Sequence, residues 1–341
     1  MKLKLKDSIY ILKESEEIYQ VIFTGIRKVK RFRVDGLVKD VIDKLKTEKN
    51  EEEITFLLAE KYPINDISNC ITSSELSGII RKYDDKINER YSRQLLFLDE
   101  LTNSWQETQE LQRRIENSKV AVFGIGGIGT WIVNGLYQIG VGEIRISDPD
   151  KVEESNLNRQ LFFTSMDIGR YKVDVIKEKL PDIKIVSFMK SVSENENLED
   201  IVRDTNFIVN CADNPSVAET ARIIDSYARK HNIPYCVSGG YNMHLGMIGP
   251  IIVPGQTAIF NDFLEYQKRN DSLSKLKVIK NVEQTGSLGP IAGTIANIQV
   301  MDIFKYLIGK GKPNLNKFAE IDFMDLNIEW RNFSLGNKDI P

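Results

Sequence analysis

A short apolar run leads into a glycine-rich loop in the sequence Val120-Ala121-Val122-Phe123-Gly124-Ile125-Gly126-Gly127-Ile128-Gly129. A run that ends in glycines predicts a buried β-strand followed by a tight turn. Residues 130–139 then have helical spacing, and residues 143–147 are predicted to form the next strand. This alternation predicts parallel strands joined by right-handed crossovers, which is typical of a doubly wound α/β sheet.

Three later apolar runs, at residues 183–186, 207–210 and 235–238, are interpreted as further strands of this sheet. The fold class is therefore predicted as α/β, with a doubly wound, mainly parallel Rossmann-like sheet in residues 118–341. The chain has 341 residues, of which 41% are hydrophobic and 28% are charged, and its net charge is -3. This balance excludes wholesale disorder and argues against a globally basic nucleic-acid binder.

The glycine loop is a candidate nucleotide site formed by Gly124, Gly126, Gly127 and Gly129. Glycine lets the backbone approach a phosphate, and the N-terminus of the following helix attracts its negative charge. Asp148 stands where an acid can bind a ribose hydroxyl, as in NAD-dependent dehydrogenases. The loop alone therefore leaves ATP and NAD open as ligands.

A polar cluster downstream of the loop favours ATP. It comprises Asp148-Pro149-Asp150-Lys151-Val152-Glu153-Glu154-Ser155-Asn156-Leu157-Asn158-Arg159-Gln160 and is followed by Lys172. A dehydrogenase needs one acid here, whereas a triphosphate also uses guanidinium and ammonium groups. Such cations bind the nucleotide and stabilise the charge that develops on a leaving pyrophosphate or a transferred phosphoryl group.

With these motifs, residues 90–305 resemble the ubiquitin-activating-enzyme-like adenylyltransferases, which include the ThiF, MoeB and HesA proteins. The resemblance implies that Asp148 binds the ribose and that the amide and cationic side chains of the cluster bind the phosphates. The cofactor-binding residues that it implies are Gly124, Gly126, Gly127, Gly129, Asp148, Asp150, Asn156, Arg159, Gln160 and Lys172.

The resemblance also implies a magnesium site and a homodimer, with ATP and Mg²⁺ as the cofactors. Asp213 corresponds to the magnesium-linked acid, and Arg93 to an arginine that these enzymes pass across a dimer interface to the partner's ATP. The implied catalytic residues are Arg159, Lys172, Arg93 and Asp213. Three alternatives stay open: Asp213 as a helix cap, Lys172 as a solvated helix charge, and Arg93 as one of many charges in its segment.

The chain departs from the family in its cysteines. Most members hold a structural zinc with two Cys-x-x-Cys pairs, but Cys70, Cys211 and Cys236 are scattered, and Ile259 and Asp262 stand where the first pair would be. No structural zinc is therefore expected. No cysteine follows Cys236, which disfavours sulfur transfer and ubiquitin-type conjugation through a late thiol.

Residues 1–85 are predicted to form a small α+β, winged-helix-like domain, with strands near residues 8–12, 18–23 and 27–34 and three helices after them. This order resembles the PqqD-like element that captures leader peptides as an extra strand at a sheet edge. Nucleic-acid binding, favoured by the basic run from Arg27 to Arg33, and simple packing stay open. Residues 86–117 are predicted to be a helical linker with dimer contacts, and residues 118–341 the ATP-binding catalytic domain.

With this N-terminal domain, the whole chain resembles the peptide-modifying branch of the family, which acts in natural-product (antibiotic) biosynthesis. We expect the N-terminal domain to hold a ribosomally made precursor peptide. ATP would activate a side-chain carboxylate, from glutamate, or an amide oxygen, by adenylation or phosphorylation, for dehydrative cyclisation. His244 is a candidate general base, and residues 238–242 and 249–255 are expected to line the peptide channel.

Other functions stay open on the sequence: activation of a ubiquitin-like sulfur carrier, a tRNA-modifying dehydratase, an NAD-dependent oxidoreductase and a peptide-binding pseudoenzyme. The N-terminal residues alternate polar and apolar, unlike a signal peptide, and no stretch is expected to supply the roughly 20 apolar residues that cross a bilayer. A cytoplasmic location is therefore expected, without membrane or nucleic-acid partners.

Overall fold

The structure is a computed structural model of the chain, and it describes residues 2–83, 88–238, 240–270, 279–280 and 286–333. The chain folds into two compact units, Met1–Arg113 and Arg114–Pro341. Each unit has a hydrophobic core of its own. The division between them falls inside the segment predicted as a linker.

The first unit combines two antiparallel sheets with helices. Its strands are β1 (Lys2–Leu5), β2 (Ile9–Lys13), β3 (Ile18–Phe23), β4 (Lys28–Arg33) and β5 (Ile80–Tyr83). Its helices are α1 (Gly36–Lys44), α2 (Glu51–Leu58), α3 (Ile64–Leu76), α4 (Ser92–Asp99) and α5 (Trp105–Glu116). One sheet has the order β2-β3-β4 and the other pairs β1 with β5, so β4 is an edge strand.

Side-chain caps and buried apolar residues explain why these helices form where they do. Asp35 accepts the backbone N–H of Val38 at the start of α1, and Asn50 and Glu53 form a capping box at the start of α2. The inward faces of the helices cover the three-stranded sheet, where Val21 is fully buried. The predicted order of three strands and then three helices is present.

The first unit has two more strands than the sequence predicted. β1 alternates lysine with leucine, and Leu3 is fully buried, so a period-two pattern was present but short. β1 pairs with β5 from the far end of the unit, in a register that sets Lys2 opposite Tyr83. A pairing across so much sequence leaves no local signal, which is why β5 was missed.

A buried ion cluster fixes helix α4 in the first unit. Asp99, at the end of α4, lies 2.8 Å from Lys6 Nζ and 2.6 Å from Arg81 Nε, and all three side chains are almost completely buried. Removing one partner from such a cluster leaves a buried charge unpaired, at a cost of about 3–5 kcal/mol. The cluster therefore anchors the helix that also carries Arg93.

The second unit is built on a six-stranded sheet and a smaller four-stranded one. Its strands are β6 (Lys119–Phe123), β7 (Glu143–Ser147), β8 (Lys184–Phe188), β9 (Phe207–Asn210), β10 (Tyr235–Val237), β11 (Tyr241–Asn242), β12 (Leu245–Ile248), β13 (Ile251–Ile252), β14 (Lys317–Asp322) and β15 (Asn327–Asn332). The larger sheet has the order β13-β10-β9-β6-β7-β8 and the smaller one β11-β12-β14-β15. Only β13 runs antiparallel in the larger sheet, so the prediction of a mainly parallel α/β sheet is confirmed.

Helices connect and cover these strands. They are α6 (Gly127–Ile139), α7 (Lys172–Lys179), α8 (Glu199–Val202), α9 (Val217–His231), α10 (Phe260–Asn270) and α11 (Gly289–Ile308). Every strand predicted for this part of the chain is present within a residue or two. Helix α6 begins at Gly127, earlier than the predicted residue 130, so the glycine loop forms the first turn of the helix.

Helix α11 is a long apolar stretch, which the sequence analysis did not expect. Among the described residues it is the one helix with the length and mean hydropathy, 20 residues and 1.2, that a membrane span requires. However, 56% of that window is buried inside the fold. A Cβ added at Gly135 of α6 would lie 2.8 Å from Val300 of α11, so the two helices pack closely. The helix is apolar because it belongs to the core.

Candidate nucleotide-binding and catalytic site

The site lies where the order of the parallel strands reverses. β6 pairs with β7 on one side and with β9 on the other, so the segments that leave β6 and β9 open a crevice at the carboxyl edge of the sheet. A Cβ added at Gly124, directly after β6, would lie 2.6 Å from the backbone N of Ala212, which follows β9. Gly124 also has a φ of +82°, which L residues rarely adopt. The close approach of the two loops and the positive φ therefore both require glycine at position 124.

The other loop glycines differ in what surrounds them. Gly126 directly precedes α6, and nothing lies within 4 Å of a Cβ added there. A Cβ added at Gly129 would instead lie 1.9 Å from the carbonyl oxygen of Gly124. Gly126 and Gly127 thus expose the N-terminus of α6 to the crevice, whereas Gly129 lets the loop close on itself.

The crevice is a cavity of about 660 Å³ in the second unit. It brings together most of the side chains and glycines that the sequence singled out. Those on its walls are Gly124, Gly126, Gly127, Asp148, Asp150, Asn156, Arg159, Gln160, Lys172 and Asp213. Gly129 is not on the wall, and Arg93 belongs to the first unit, where its side chain is exposed on α4.

Asp148 holds the glycine loop in place at the end of β7. Its Oδ2 accepts the backbone N–H of Ile125 at 2.6 Å, and its Oδ1 accepts that of Asp150 at 2.8 Å. Burial raises the pKa of the Asp148 carboxyl, and the nearby Lys172 ammonium opposes that change. Because each carboxylate oxygen can accept more than one hydrogen bond, Asp148 can still receive a ribose hydroxyl.

Lys172 is buried beside two acids at the start of α7. Its Nζ lies 2.9 Å from Asp150 Oδ2 and 3.8 Å from Asp148 Oδ1, and its side chain is only 7% exposed. The alternative of a solvated helix charge is therefore wrong. The lysine therefore stands on the cavity wall with its ammonium held by the two acids.

The two amide side chains of the cluster take different local roles. Asn156 is buried, and its Oδ1 accepts the backbone N–H of Glu153 at 3.1 Å, so it also shapes the short turn that carries it. Gln160 is buried on the cavity wall, and its Oε1 has no hydrogen-bond partner among the described residues. A buried amide atom without a partner is costly unless a ligand or water satisfies it, so Gln160 fits a ligand-binding role.

Arg159 carries a charge that no carboxylate neutralises among the described residues. Its guanidinium donates to the Ser155 carbonyl at 2.6 Å and to Asn158 Oδ1 at 3.2 Å. The backbone carbonyl of Arg159 accepts the indole N–H of Trp131 at 3.1 Å. The arginine is thus held in place by neutral groups, and its charge stays available to an anion.

Asp213 and Cys211 follow β9 on the opposite wall. The Asp213 side chain is exposed and forms no hydrogen bond or ion pair within the described part of the chain. It does not cap α9, because Ser216 does so by accepting the N–H of Glu219, and the capping alternative is wrong. Burial raises the pKa of the Cys211 thiol to about 12, so this thiol stays protonated and is a poor nucleophile at neutral pH.

His244 lies outside the cavity walls, and so do Ile259 and Asp262, which stand where most family members have zinc-binding cysteines. His244 lies in the turn between β11 and β12, with Nε2 4.0 Å from Asp322 Oδ2. Asp262 accepts the backbone N–H of Ile259 at the start of α10, which gives both residues a local structural role. No group of three metal-ligating side chains occurs in the described ranges.

The cavity also has residues that were not singled out as ATP ligands. Ser238, Gly240 and Tyr241 come from the first of the two segments expected to line a peptide channel, whereas residues 249–255 are not on these walls. Lys190, Ser191 and Val192, which follow β8, and Ser287, which precedes α11, carried no motif in the sequence. Lys190, Ser191 and Val192 follow a parallel strand at the carboxyl edge of the sheet, and that position could have identified them from the sequence.

These walls fit a magnesium nucleotide. The N-terminus of α6 is open at Gly126, and Arg159 and Lys190 form no ion pair with any described residue. Helix N-termini and cations of this kind attract phosphate. Mg²⁺ usually keeps several waters and takes one or two protein carboxylates, which suits the exposed and unpaired carboxylate of Asp213.

Comparison with known proteins identifies the family. The model described as ThiF family matches residues 91–340. The chain belongs to the ThiF family. A curated relative of this ThiF-family chain, the sulfur carrier protein ThiS adenylyltransferase of Escherichia coli (strain K12), is 27% identical over 259 residues, which cover 74% of this chain and 93% of the relative. The chain is accordingly an ATP-dependent adenylating enzyme, and the NAD-dependent alternative is set aside.

Solved structures resemble the ThiF-family chain over nearly its whole length. E. coli MccB with ATP has a TM-score of 0.72 at 23% identity and covers 100% of this chain and 99% of that one. The microcin C7 biosynthetic enzyme MccB with N-formylated MccA has a TM-score of 0.70 at 24% identity with the same coverage. PaaA has a TM-score of 0.73 at 23% identity, and the match covers 97% of this chain and 100% of PaaA. The common fold is therefore confirmed beyond the ThiF region.

Proposed function

We propose that the enzyme binds a ribosomally made precursor peptide through its first unit and adenylates a side-chain carboxylate of that peptide for cyclisation. The observation that carries the proposal is the extent of the structural likeness. The ThiS adenylyltransferase aligns with 74% of the chain, whereas the MccB and PaaA structures cover 100% and 97% of it. That MccB is described in complex with N-formylated MccA supports a peptide as the substrate.

The activation step needs only groups that the cavity walls can supply. A carboxylate oxygen attacks the α-phosphorus of ATP, the bond from that phosphorus to the bridging oxygen breaks, and pyrophosphate leaves with the electron pair. A nucleophile of the same peptide then attacks the acyl carbon and closes the ring, AMP leaves with the former carboxylate oxygen, and the proton of the nucleophile passes to solvent, so the peptide loses water overall. Arg159 and Lys172 stabilise the charge that moves onto the pyrophosphate.

The intrinsic reactivity of the two groups favours a carboxylate over an amide as the activated group. A carboxylate attacks without first losing a proton, whereas a side-chain amide must lose an N–H proton to a base. A glutamate or aspartate of the peptide is therefore the proposed acceptor.

We assign the magnesium ion that accompanies ATP to Asp213, and we assign Arg93 to the partner's ATP in a homodimer. Asp213 follows a parallel strand at the carboxyl edge of the sheet, the usual place for ligands in such folds. Arg93 is exposed on α4, so its side chain is accessible to a second copy of the chain. Bound Mg²⁺ would supply neutralisation of phosphate charge.

The peptide leader is proposed to add to the edge strand β4 of the first unit. β4 pairs only with β3 among the described residues, so the N–H and C=O groups on its other edge are available for a further strand. Its sequence, Lys28-Val29-Lys30-Arg31-Phe32-Arg33, is strongly basic. Lys28 and Arg33 are exposed and form no ion pair within the described ranges, so the leader is expected to be acidic.

Charge reversal on this edge should weaken peptide binding. The double change Lys28→Glu and Arg33→Glu is expected to raise the peptide Kd about 30-fold at low salt, since each reversed charge costs on the order of 1 kcal/mol. The effect should shrink at high salt because screening weakens surface charges. Fluorescence anisotropy with a labelled leader peptide measures it, and Lys46→Glu, at an exposed lysine just after the end of α1, is the control. An unchanged peptide Kd would mean that the leader binds elsewhere. If the double variant instead lost affinity for nucleic acid, measured in the same way, the nucleic-acid alternative would be favoured.

The proposal is tested by searching the neighbouring genes for a short open reading frame and incubating the enzyme with Mg-ATP and a synthetic peptide of that sequence. We expect peptide-dependent pyrophosphate release, and a mass spectrum in which the peptide has lost one or more waters. Arg159→Ala is the inactive comparison. Pyrophosphate release without any change in the peptide would contradict cyclisation.

Activation of a sulfur carrier is the second candidate, because the curated relative is a sulfur carrier protein ThiS adenylyltransferase. A purified ubiquitin-like carrier that ends in a free carboxylate should be assayed in parallel with the peptide. Pyrophosphate release with the carrier and with no peptide would overturn the peptide proposal in favour of this one.

A further inference from the structure

Two hydroxyl groups face the start of α6 from another wall of the cavity. Tyr241 Oη and Ser287 Oγ are 2.5 Å apart, and both residues line the cavity. A Cβ added at Gly127, the first residue of α6, would lie 2.9 Å from Tyr241 Oη. The hydroxyl pair therefore stands at the N-terminus of the helix that receives the phosphates, although the two residues are far apart in sequence.

Further contacts connect the Tyr241–Ser287 pair to the segment that carries Arg159. The Asn158 side-chain amide donates to the Ser287 carbonyl at 3.2 Å. Arg159 Cδ would lie 3.6 Å from the same added Cβ at Gly127 that Tyr241 Oη approaches. Tyr241 is itself held in β11, where it pairs with Gly246 of β12. Strand β11, the segment before α11 and the loop of Arg159 thus converge on one point.

The hydroxyl pair, the helix N-terminus and the guanidinium could together bind a second anion beside the nucleotide. One hydrogen bond between two hydroxyls uses one of their protons and leaves the other O–H free to donate. The adjacent helix N-terminus and guanidinium make an acceptor with negative charge the favoured partner. In an adenylation, the anion that must join the phosphates at this place is the carboxylate that attacks.

We propose that Tyr241 and Ser287 bind one oxygen of the acceptor carboxylate, so that its other oxygen is left to attack the α-phosphorus of ATP. The inference rests on the proposed function in taking a carboxylate as the acceptor. The hydroxyl pair adds selectivity, because it donates to the acceptor oxygen, whereas the glycine loop and the cations bind the phosphates. No proton is transferred in the step, so the tyrosine and serine act by positioning and by hydrogen bonding to charge.

Removing the tyrosine hydroxyl separates this role from nucleotide binding. Tyr241→Phe is expected to lower kcat for acceptor-dependent pyrophosphate release about 20-fold, in line with loss of a hydrogen bond to a charged group. The Kd of a non-hydrolysable ATP analogue, measured by calorimetry, should change less than twofold. Ser287→Ala should lower kcat about tenfold, and the double variant should lose little more than Tyr241→Phe, because the hydroxyls act as one unit.

Tyr227→Phe is the control, since its hydroxyl accepts the backbone N–H of Leu198 away from the cavity walls. If Tyr241→Phe raised the Kd of the ATP analogue by the same factor as it lowered kcat, the pair would be a nucleotide contact and the inference would be wrong. An unchanged kcat and KM would also overturn it. If the wild-type enzyme adenylates a carrier protein and no peptide, the proposed function fails, and the same kinetic comparison then tests the pair on the carrier's carboxylate.

Discussion

Replacing Arg159 with alanine is expected to lower kcat/KM for acceptor-dependent pyrophosphate release about 10²–10³-fold, which corresponds to about 3–4 kcal/mol of transition-state stabilisation. The guanidinium is held by the Ser155 carbonyl and by Asn158 Oδ1, and it forms no ion pair with any described residue. Its charge is therefore free to meet the charge that grows on the pyrophosphate. Loss of that charge should affect the transition state more than the bound substrate.

The fold should survive this change. Arg159 lies at a partly exposed position, and its backbone carbonyl still accepts the Trp131 indole N–H in the alanine variant. The melting temperature is expected to change by about 2 °C or less, since a small surface-type substitution costs roughly 0.5 kcal/mol. Arg222→Ala on α9, another exposed arginine, is the matched control and should keep full activity. Activity within threefold of wild type in Arg159→Ala would remove the arginine from the catalytic site and favour a peptide-binding pseudoenzyme.

Alanine at two loop glycines should have opposite consequences, although the substitutions are chemically identical. At Gly126 the added Cβ meets nothing within 4 Å and the φ of -93° suits alanine, so the fold should be kept. The methyl group would stand on the cavity wall where the backbone must approach a phosphate. We expect the Kd of an ATP analogue to rise about 100-fold, or about 2.7 kcal/mol, with a nearly unchanged melting temperature.

Gly129→Ala should instead destabilise the second unit. Its Cβ would lie 1.9 Å from the Gly124 carbonyl oxygen, a backbone atom that cannot move without breaking the loop. Overpacking of this kind costs on the order of 3 kcal/mol or more, which lowers the melting temperature by roughly 10 °C in a domain of this size. Calorimetry and thermal unfolding of both variants measure the contrast. Equal losses of stability in the two variants would contradict this reading of the loop.

Local patterns in the sequence predicted the central elements because their determinants are local. The apolar run before Gly124 and the glycines that follow specify a strand, a turn and the start of a helix within a few residues. The strands around Ile144, Ile208 and Cys236 are short and buried, and each was predicted from its own composition. The family pattern around Arg159 and Lys172 pointed to ATP before any contact was known.

Contacts between distant segments were the part that the sequence did not predict. β5 was missed because its partner β1 lies at the other end of the unit. Ser287 was missed because a lone serine carries no motif, and its relation to Tyr241 exists only after β11 and the segment before α11 meet. Lys190 was missed because its place in the cavity depends on the position of β8 in the sheet.

The sequence by itself determined that this protein has an α/β fold and that ATP is the nucleotide favoured by its polar cluster, and it predicts that the glycine loop accepts phosphates. These features depend on backbone freedom, helix polarity and charge within short segments, which a sequence records directly. The tertiary structure alone decided which side chains share the cavity, that Lys172 is buried against two acids, and that Tyr241 meets Ser287 beside Arg159. Those relations depend on strand order and on the packing of elements far apart in the chain, and no local pattern encodes them.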